Sequence, residues 1–518
     1  MGELELEREN DVDIDCRGPE LLEREIEKAI EEMKKGKMVG IDGIPAEFWQ
    51  CLKGQAKKEL VRLCKDIYEK GVWPEDFTKT VMIPIPKTVN AVECSDYRTI
   101  SLIPHASKIV LKVVTKRIES KATEYISRTQ FGFRKGLGTR DAIGVMRMLI
   151  ERSLEHDNDI YICFVDFEKA FDRVNWKMMM RILKEVGVDW RDRRLVAEMY
   201  MKQEVMVRID EEYTEPSIIG RGVRQGCLMS PLLFSMYAEA MMKEAMEGVE
   251  EGVKVGGQVI QDVRFADDQG MVASTEVGLQ RIMDRLTEVA CRYGMKINVK
   301  KTKVMRVSRK GGEAINIVVE GHQVEQVKKF RYLGVQIADD GKCEAEIRVR
   351  IAMAKEAFYK RKELLTNSLK RDIKKKIVKT IVWTVALYGA ETWTLKEEDI
   401  RRLNALEMWI WRRMEKISWT DKKTNEEVLR MVGEKQQLVD RIITRKKNWL
   451  GHVMRGEGLL KEVIEGRMDG KRPRGRKRKG MLDCLIGDET YQKIKRMAQD
   501  RELWRCWLPR TCRQAENQ

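Results

Sequence analysis

The sequence predicts an α+β fold over about the first 335 residues, then an almost wholly helical region and a basic tail. Two patterns lead there. Up to about residue 335, short apolar β-like runs alternate with stretches whose apolar residues recur every three or four positions, whereas from Ala345 to about Met454 only the helical period remains. The length agrees, because 518 residues and 60.5 kDa exceed what one hydrophobic core serves and should make about three units. A peptide hormone, a single binding module and a disulfide knot are thereby excluded. With 43% hydrophobic and 35% charged residues and only 10 prolines, the chain can build cores and expose long helices.

The elements follow in order. Met1 to Met33 carries thirteen Asp and Glu against four Lys and Arg. This acidic leader is expected to be helical from about Pro19 to Lys35, with Leu22, Ile26, Ala29, Ile30 and Met33 on one stripe and Gly36 ending it. Segment 108–126 is a second helix, with Ile109, Val110, Val113, Val114 and Ile118 at helical spacing. Strands are expected at Thr80 to Pro84, Tyr161 to Val165, Glu204 to Ile209, Val259 to Phe265, Gly270 to Ser274, Val304 to Val307 and Ile315 to Val319. Helices then dominate: Ala345 to Leu365, Arg371 to Tyr388 and Glu397 to Ile417. The longest apolar run, Thr380 to Ala390, is well short of the ~20 residues of a membrane span, and Met-Gly-Glu-Leu-Glu is no secretory signal. No membrane partner is expected, and the chain is expected in the nucleus, the cytoplasm or both, not secreted. Eleven cysteines without a C-x-x-C, and four histidines, fit reduced thiols better than a zinc site.

Charge points to a polyanionic partner. The net charge is +16, and since the leader carries −9, the rest of the chain carries +25. Such an excess concentrates nucleic acid through phosphate contacts that weaken as salt rises. The densest cluster holds seven cations in nine residues: Lys471, Arg472, Arg474, Arg476, Lys477, Arg478 and Lys479. A Pro and a Gly within it resist helix. It reads as a nucleic-acid contact or a nuclear import signal, the alternative being a solvated tail.

Three carboxylates carry the chemistry. Tyr161-Ile162-Cys163-Phe164-Val165 is an apolar run ending in Asp166, and Val263 to Val272 contains two apolar runs joined by a tight turn bearing Asp267 and Asp268. An Asp pair at a hairpin tip is ordinarily just solvated. If this hairpin pairs beside the Asp166 strand, however, three acids converge, and divalent cations are the cheapest way to hold them ionised. Oxygen ligands with open positions suit Mg²⁺, with substrate phosphates completing its shell.

The order of motifs resembles that of reverse transcriptases of non-LTR (LINE-type) retrotransposons. Phe164 to Asp172 (FVDFEKAFD) is similar to the family's first palm motif and Phe265-Ala266-Asp267-Asp268 to its second, with Arg221 to Leu232 (RGVRQGCLMSPL) between them. Upstream, Ile83 to Lys87 (IPIPK), Asp96 to Leu102 (DYRTISL) and Gln130 to Arg134 (QFGFR) look like its fingers motifs. Downstream, Met295 to Lys303 and Phe330-Arg331-Tyr332-Leu333-Gly334 complete the set. The likeness runs from about Lys34 to Gly334.

The resemblance implies a right-hand polymerase of fingers, palm and thumb, followed by the helical, basic C-terminal region. It divides the chain into a leader (1–33), fingers and palm (34–335), a helical thumb or connection region (336–454) and a basic tail (455–518). It implies RNA-directed DNA synthesis from a DNA primer 3′-hydroxyl, with an RNA template and deoxynucleoside triphosphates as partners. Asp166, Asp267 and Asp268, with the backbone carbonyl of Phe167, would hold two Mg²⁺ ions, Mn²⁺ being the alternative. Phe171 would exclude a ribose 2′-hydroxyl. Lys87, Arg98, Gln225, Gly226 and Lys301 would contact the nucleotide, Lys301 as a proton donor to pyrophosphate or as a plain phosphate contact. Phe330, Tyr332, Leu333 and Gly334 would grip the primer end. Ser230-Pro231 reads as an N-cap followed by Pro at N1.

Some features depart from the family pattern. Gln269 and Gly270 follow the Asp pair where apolar residues are usual, which should weaken the second strand and loosen the metal site. Thr99 stands where Pro is common. No endonuclease-like region is seen, so a nuclease in trans is expected as a further partner. Two other readings stay open: a group II intron-type reverse transcriptase, and a catalytically inactive nucleic-acid-binding protein derived from such an element. The aromatics of 387–393 and 409–411 are expected in the core.

Overall fold

The computed structural model describes residues 7, 11–311, 313–475, 477–486 and 490–507. They fall into two compact units. The first gathers residues up to Lys135, Asp166–Val249 and Asp284–Asn298; the second comprises Gly136–Val165, Glu250–Met283 and the chain from Val299 on.

In the first unit the leader helix is Glu23–Glu31, shorter than its stripe suggests. The reason is on the helix His105–Tyr125, whose Arg117 donates to the carbonyls of Pro19 (2.9 Å) and Glu20 (2.8 Å) and to the carboxylate of Glu25 (2.7 Å). The chain before Leu22 is thus kept extended, and Glu25 caps the helix by accepting from the Leu22 N–H. Ile26, Ala29 and Ile30 are buried, as the stripe requires. Hydrogen bonds and charge from Lys116 and Lys112 hold the Glu32 carboxyl down to about 2.

The unit's sheet runs Tyr97–Leu102, Lys79–Pro86, Glu204–Ile209, Glu212–Tyr213, with Ser217–Ile218 also on Glu204–Ile209. Lys79–Pro86 pairs antiparallel with Tyr97–Leu102 along its length, but its parallel pairing to Glu204–Ile209 stops at Met82. Pro84 and Pro86 therefore lie where one edge is open, the place where a strand tolerates residues without an N–H. The helix Ser230–Met246 begins at Ser230 itself, preceded by Met229, and Ser230 supplies no side-chain cap. Pro231 sits inside the first turn, where its missing N–H costs nothing.

In the second unit five strands form a sheet in the order Glu325–Gln326, Lys303–Val307, Ile160–Val165, Asp268–Ala273, Asp262–Phe265. The expected strand at 315–319 survives only as Val318–Val319, and that at 259–265 splits into Gln258–Ile260 and Asp262–Phe265. The helical region packs around Trp383, Trp393, Trp411, Leu403 and Phe358, all buried; of the aromatics expected in the core, Trp409 is half-buried and Tyr388 is exposed. The helix expected over 371–388 is Arg371–Ile377, one wide turn at Val378–Val382 and then Trp383–Ala386.

The C-terminal region is more ordered than its weak periodicity suggests. It forms helices Leu459–Glu465, Asp483–Ile486, Tyr491–Gln499 and Arg501–Trp507. Polar contacts tie it to the helix Thr139–Glu155: Arg152 donates to the carbonyls of Ile464 (2.6 Å) and Gly466 (2.7 Å), and Glu151 accepts from the Met481 N–H (2.8 Å). It belongs to the same unit as the sheet that bears the Asp pair. No helix among the described residues is long and apolar enough to cross a membrane.

Candidate active site

The acid pair caps a two-residue hairpin. Asp262–Phe265 and Asp268–Ala273 pair antiparallel with Phe265 opposite Asp268, leaving Ala266 and Asp267 as the turn. Ala266 takes φ 58°, a left-handed conformation costing a non-glycine residue ~1 kcal/mol or more. Asp267 and Asp268 are exposed at this tip. Asp268–Ala273 also pairs with Ile160–Val165: Val165, the residue before Asp166, lies opposite Gln269, the residue after Asp268. Asp166 itself is half-buried.

The expected weakening by Gln269 and Gly270 is not seen. Both residues pair on two sides, Gln269 with Val165 and Arg264, Gly270 with Phe164 and Val263. A Cβ at Gly270 would lie 2.6 Å from the Met146 methyl, the end of a flexible side chain that would have to shift. Beneath the tip, Arg264 and Asp262 form a buried ion pair at 2.6 Å. Sequence reading missed it, although charged residues alternating within an apolar strand were a visible signal.

The expected primer grip is a hairpin, Lys329–Tyr332 with Val335–Ala338, turned by Leu333 (φ 47°) and Gly334 (φ 80°). Phe330 stacks on Phe164 with centroids 4.2 Å apart and planes 12° off parallel. The Tyr332 hydroxyl donates to the Val263 carbonyl at 3.0 Å, which fixes the hairpin to the strand that leads into the Asp turn. Burial drives the Tyr332 phenol pKa upward, and the charges of Asp268 and Asp262 add to it, so Tyr332 stays a donor. Leu333 offers its carbonyl to the Tyr388 hydroxyl (2.9 Å), and Arg350 donates to that of Gly334.

In the first unit, the segments expected to face the nucleotide are joined to one another. Arg98 is exposed on the strand Tyr97–Leu102, and exposed Lys87, just past the partner strand, donates its N–H to the Asp96 carbonyl (2.7 Å). The Ser101 N–H donates to the Gln225 carbonyl (2.7 Å). Gly226 has φ 107°, and a Cβ there would stand 3.0 Å from the Ser101 carbonyl, so only glycine suits this approach. Gln225 donates its amide to Asp172 at 3.1 Å. Phe171 accepts at its carbonyl from the Val223 N–H (2.8 Å), and its ring stacks on Phe234 at 4.4 Å and 12°. Phe234, on the helix Ser230–Met246, was not singled out from the sequence. The backbone after Asp166 is fixed too: Asn298 donates to the Asp166 carbonyl (2.7 Å), and Phe167 bridges to Ile297.

Lys301, in the second unit, is exposed. Of the basic cluster, Lys471, Arg472, Arg474, Lys477 and Lys479 are exposed, whereas Arg478 donates to the carbonyls of Asp340 and Gly341 (2.9 and 2.8 Å); Arg476 lies outside the described residues. Arg472 pairs with Glu155 (2.9 Å) and Lys477 with Asp483 (3.2 Å), so the segment is held at several points.

Residues 85–337 match the family model described as reverse transcriptase (RNA-dependent DNA polymerase). These residues form a reverse transcriptase domain. The matched stretch contains the Asp hairpin, Asp166, the Gln225 turn, Lys87, Arg98 and Phe330 to Gly334. Similar proteins include the RNA-directed DNA polymerase from mobile element jockey of Drosophila funebris, 22% identical over 76% of this chain and 44% of that protein. Another is the Pol polyprotein from type-2 retrotransposable element R2DM of Drosophila melanogaster, 26% identical over 55% of this chain and 27% of that protein. The transposon TX1 149 kDa protein of Xenopus laevis is 27% identical over 54% and 21%. The chain spans less than half the length of these relatives. Among solved structures, apo telomerase from Candida Tropicalis has 12% identity and a TM-score of 0.40 over 80% of this chain and 73% of that one.

Reverse transcriptases as a family use divalent metal ions. Among the described residues no group of three or more His, Cys, Asp or Glu side chains is arranged as a ready metal site. Hard carboxylate donors exposed at a strained turn fit Mg²⁺ all the same, because this ion is commonly held by one or two carboxylates together with substrate phosphates, not by an all-protein cage. The donor set of this reverse transcriptase domain is therefore of the right chemistry.

Proposed function

We propose that the chain is an RNA-directed DNA polymerase of the non-LTR retrotransposon kind, extending a DNA primer 3′-hydroxyl on an RNA template. What supports this most is the family match over 85–337, which takes in every segment of the inferred site, with the acid pair held open at its hairpin tip. Asp166, Asp267 and Asp268, with the Phe167 carbonyl, would hold two Mg²⁺ ions or Mn²⁺. When bound, the ions lower the pKa of the primer hydroxyl and neutralise charge on the phosphoryl group in transfer.

The chain's own residues do the positioning. Arg98 offers a planar fork suited to phosphate, and Lys87 a second cation beside it. Gly226 lets the backbone come close to the nucleotide, and Gln225, fixed by Asp172 and Ser101, borders it. Phe171 lies under the sugar. Tyr332 and Phe330 brace the grip against the strands that end in the acids, and Lys301 is a cation for the departing pyrophosphate. Lys471 to Lys479 track phosphates or serve nuclear import, and the protein works in the nucleus, the cytoplasm or both.

Primer extension on an RNA template with Mg²⁺ tests the reading. Wild-type protein should extend the primer, and Asp166→Ala and Asp267→Ala should not. No extension by the wild type, with RNA binding intact, would instead identify an element-derived binding protein.

A further inference from the structure

Trp419 opens the short helical turn Trp419–Asp421 that follows the helix Glu397–Met414, and 87% of its surface is exposed. Most tryptophans of this unit are buried, among them Trp383, Trp393, Trp411 and Trp449. An indole left in water forgoes the large gain its burial would bring, so its exposure calls for a reason. The turn does not need the ring. The Ser418 N–H donates to the Asp421 carboxylate (2.9 Å), the Thr420 hydroxyl to Ser418 Oγ (2.9 Å), and Arg412 to the Lys423 carbonyl (2.8 Å). Lys416 and Lys422 bracket it in left-handed conformations, φ 57° and 47°. Among the described residues no aromatic ring stacks on Trp419. The loop is tied by these hydrogen bonds and presents an exposed ring.

Lysines flank the ring, and the one acid inside the turn, Asp421, is engaged by the Ser418 N–H. Lys416 and Lys422 are exposed on either side. Glu415, the nearest acid before the turn, is engaged by Arg371 at 3.0 Å, and that ion pair sets the start of the helix Arg371–Ile377 beside the end of Glu397–Met414. Arg371 belongs to the stretch from Lys360 to Lys376, which holds eight cations and two acids. An exposed aromatic face among cations suits a strand with unpaired bases, whose phosphates meet the lysines while one base covers the ring. A double helix offers no such free face along its length.

We propose that Trp419 is a stacking platform for an unpaired base of single-stranded RNA crossing the basic surface of the helical region. The choice of RNA rests on the polymerase reading, since in such an enzyme the unpaired strand is the template. The test is equilibrium binding of a labelled, unstructured RNA oligonucleotide to the full chain at several salt concentrations, without nucleotide or metal. Trp419→Ala should weaken binding between about 5-fold and 100-fold, while the slope of log K against log salt stays that of the wild type, because no cation is removed. Trp419→Phe should keep most of the affinity. Trp419→Gln, a polar surface residue, repeats the measurement should the alanine variant fold poorly.

Wild-type RNA affinity in the Ala and Gln variants would overturn the proposal. So would loss of self-association in those variants with RNA affinity unchanged, for the ring would then serve a second protein chain. If the wild type extends no primer and Trp419→Ala still weakens RNA binding, the polymerase reading fails and the platform stands. Normal extension with unweakened binding by Trp419→Ala removes the platform alone.

Discussion

Phe171 can exclude a ribose only if its ring cannot step aside, and the structure shows what holds it. Its carbonyl is fixed by the Val223 N–H and its ring lies flat on Phe234, a residue with 1% of its surface exposed. Aromatic pairs of this kind are worth about 0.5–1.5 kcal/mol beyond their buried area. Phe234→Leu keeps a branched apolar side chain and costs the fold roughly 1–1.5 kcal/mol, whereas Phe234→Ala would open a cavity at roughly 3–5 kcal/mol. The leucine variant is therefore the cleaner perturbation. If the stack stiffens the gate, its loss should lower discrimination between deoxyribonucleotides and ribonucleotides by the stacking energy, about 2- to 12-fold in the ratio of kcat/KM values. Single-nucleotide extension with each substrate measures this directly. Phe171→Ala should lower the ratio further, and adding Phe234→Leu to it should change nothing more, because the ring to be positioned is gone. Additive effects, or an unchanged ratio in Phe234→Leu, would refute the reasoning.

Asp166→Ala, Asp267→Ala and Asp268→Ala should each abolish extension while leaving RNA affinity within about twofold, since none contacts a phosphate except through metal; near-normal extension by the first two would remove the assignment. Neutralising Lys471, Arg472, Arg474, Lys477 and Lys479 should flatten the salt dependence of RNA binding by about 0.7 in slope for each phosphate no longer neutralised, and an unchanged slope would place the cluster off the nucleic-acid surface. Arg478 should be left out of that set, because Arg478→Ala strips donors from the Asp340 and Gly341 carbonyls and should lower the melting temperature. Trp449→Phe keeps an aromatic ring of smaller volume and deprives buried Asp141 of a donor at 2.9 Å, for at least about 1–3 kcal/mol in urea unfolding. Burial raises the Asp192 carboxyl to about 6, so its contribution is complete below about pH 4 and is lost as pH rises through 6. Asp192→Asn, which can still accept from Tyr68 (2.9 Å in the parent), should remove a decline of about 3 kcal/mol between pH 4 and 6.5; equal pH profiles would contradict this.

Local rules made much of this legible. The strand at 160–165 and the acid hairpin follow from apolar runs, because these strands are buried on both faces, and the helix at 105–125 follows from its spacing. Other errors share a cause outside the segment concerned. Arg117, nearly a hundred residues away, shortens the leader helix by taking the carbonyls its first turn would use. Gly270 looks like a defect in a strand until its pairing on two sides is seen, with the Met146 methyl 2.6 Å from where a Cβ would be. Nothing near residue 270 in the sequence records that neighbour.

The C-terminal region shows the same limit more fully. Its helices are short and its apolar stripes weak, so periodicity is a poor guide, and what anchors it is polar. Arg152 takes the last carbonyls of Leu459–Glu465 and beyond, Glu151 takes the Met481 N–H, and Trp449 joins Asp141, with Gly144 leaving room for the indole 2.7 Å from where a Cβ would stand. All these partners lie on one helix, Thr139–Glu155. Buried polar groups must be paired, so Asp141, Glu151 and Arg152 on that helix were themselves the sign of a missing partner. A segment that supplies an indole N–H, backbone carbonyls and a backbone N–H satisfies all three, which is why a chain so rich in cations still folds there.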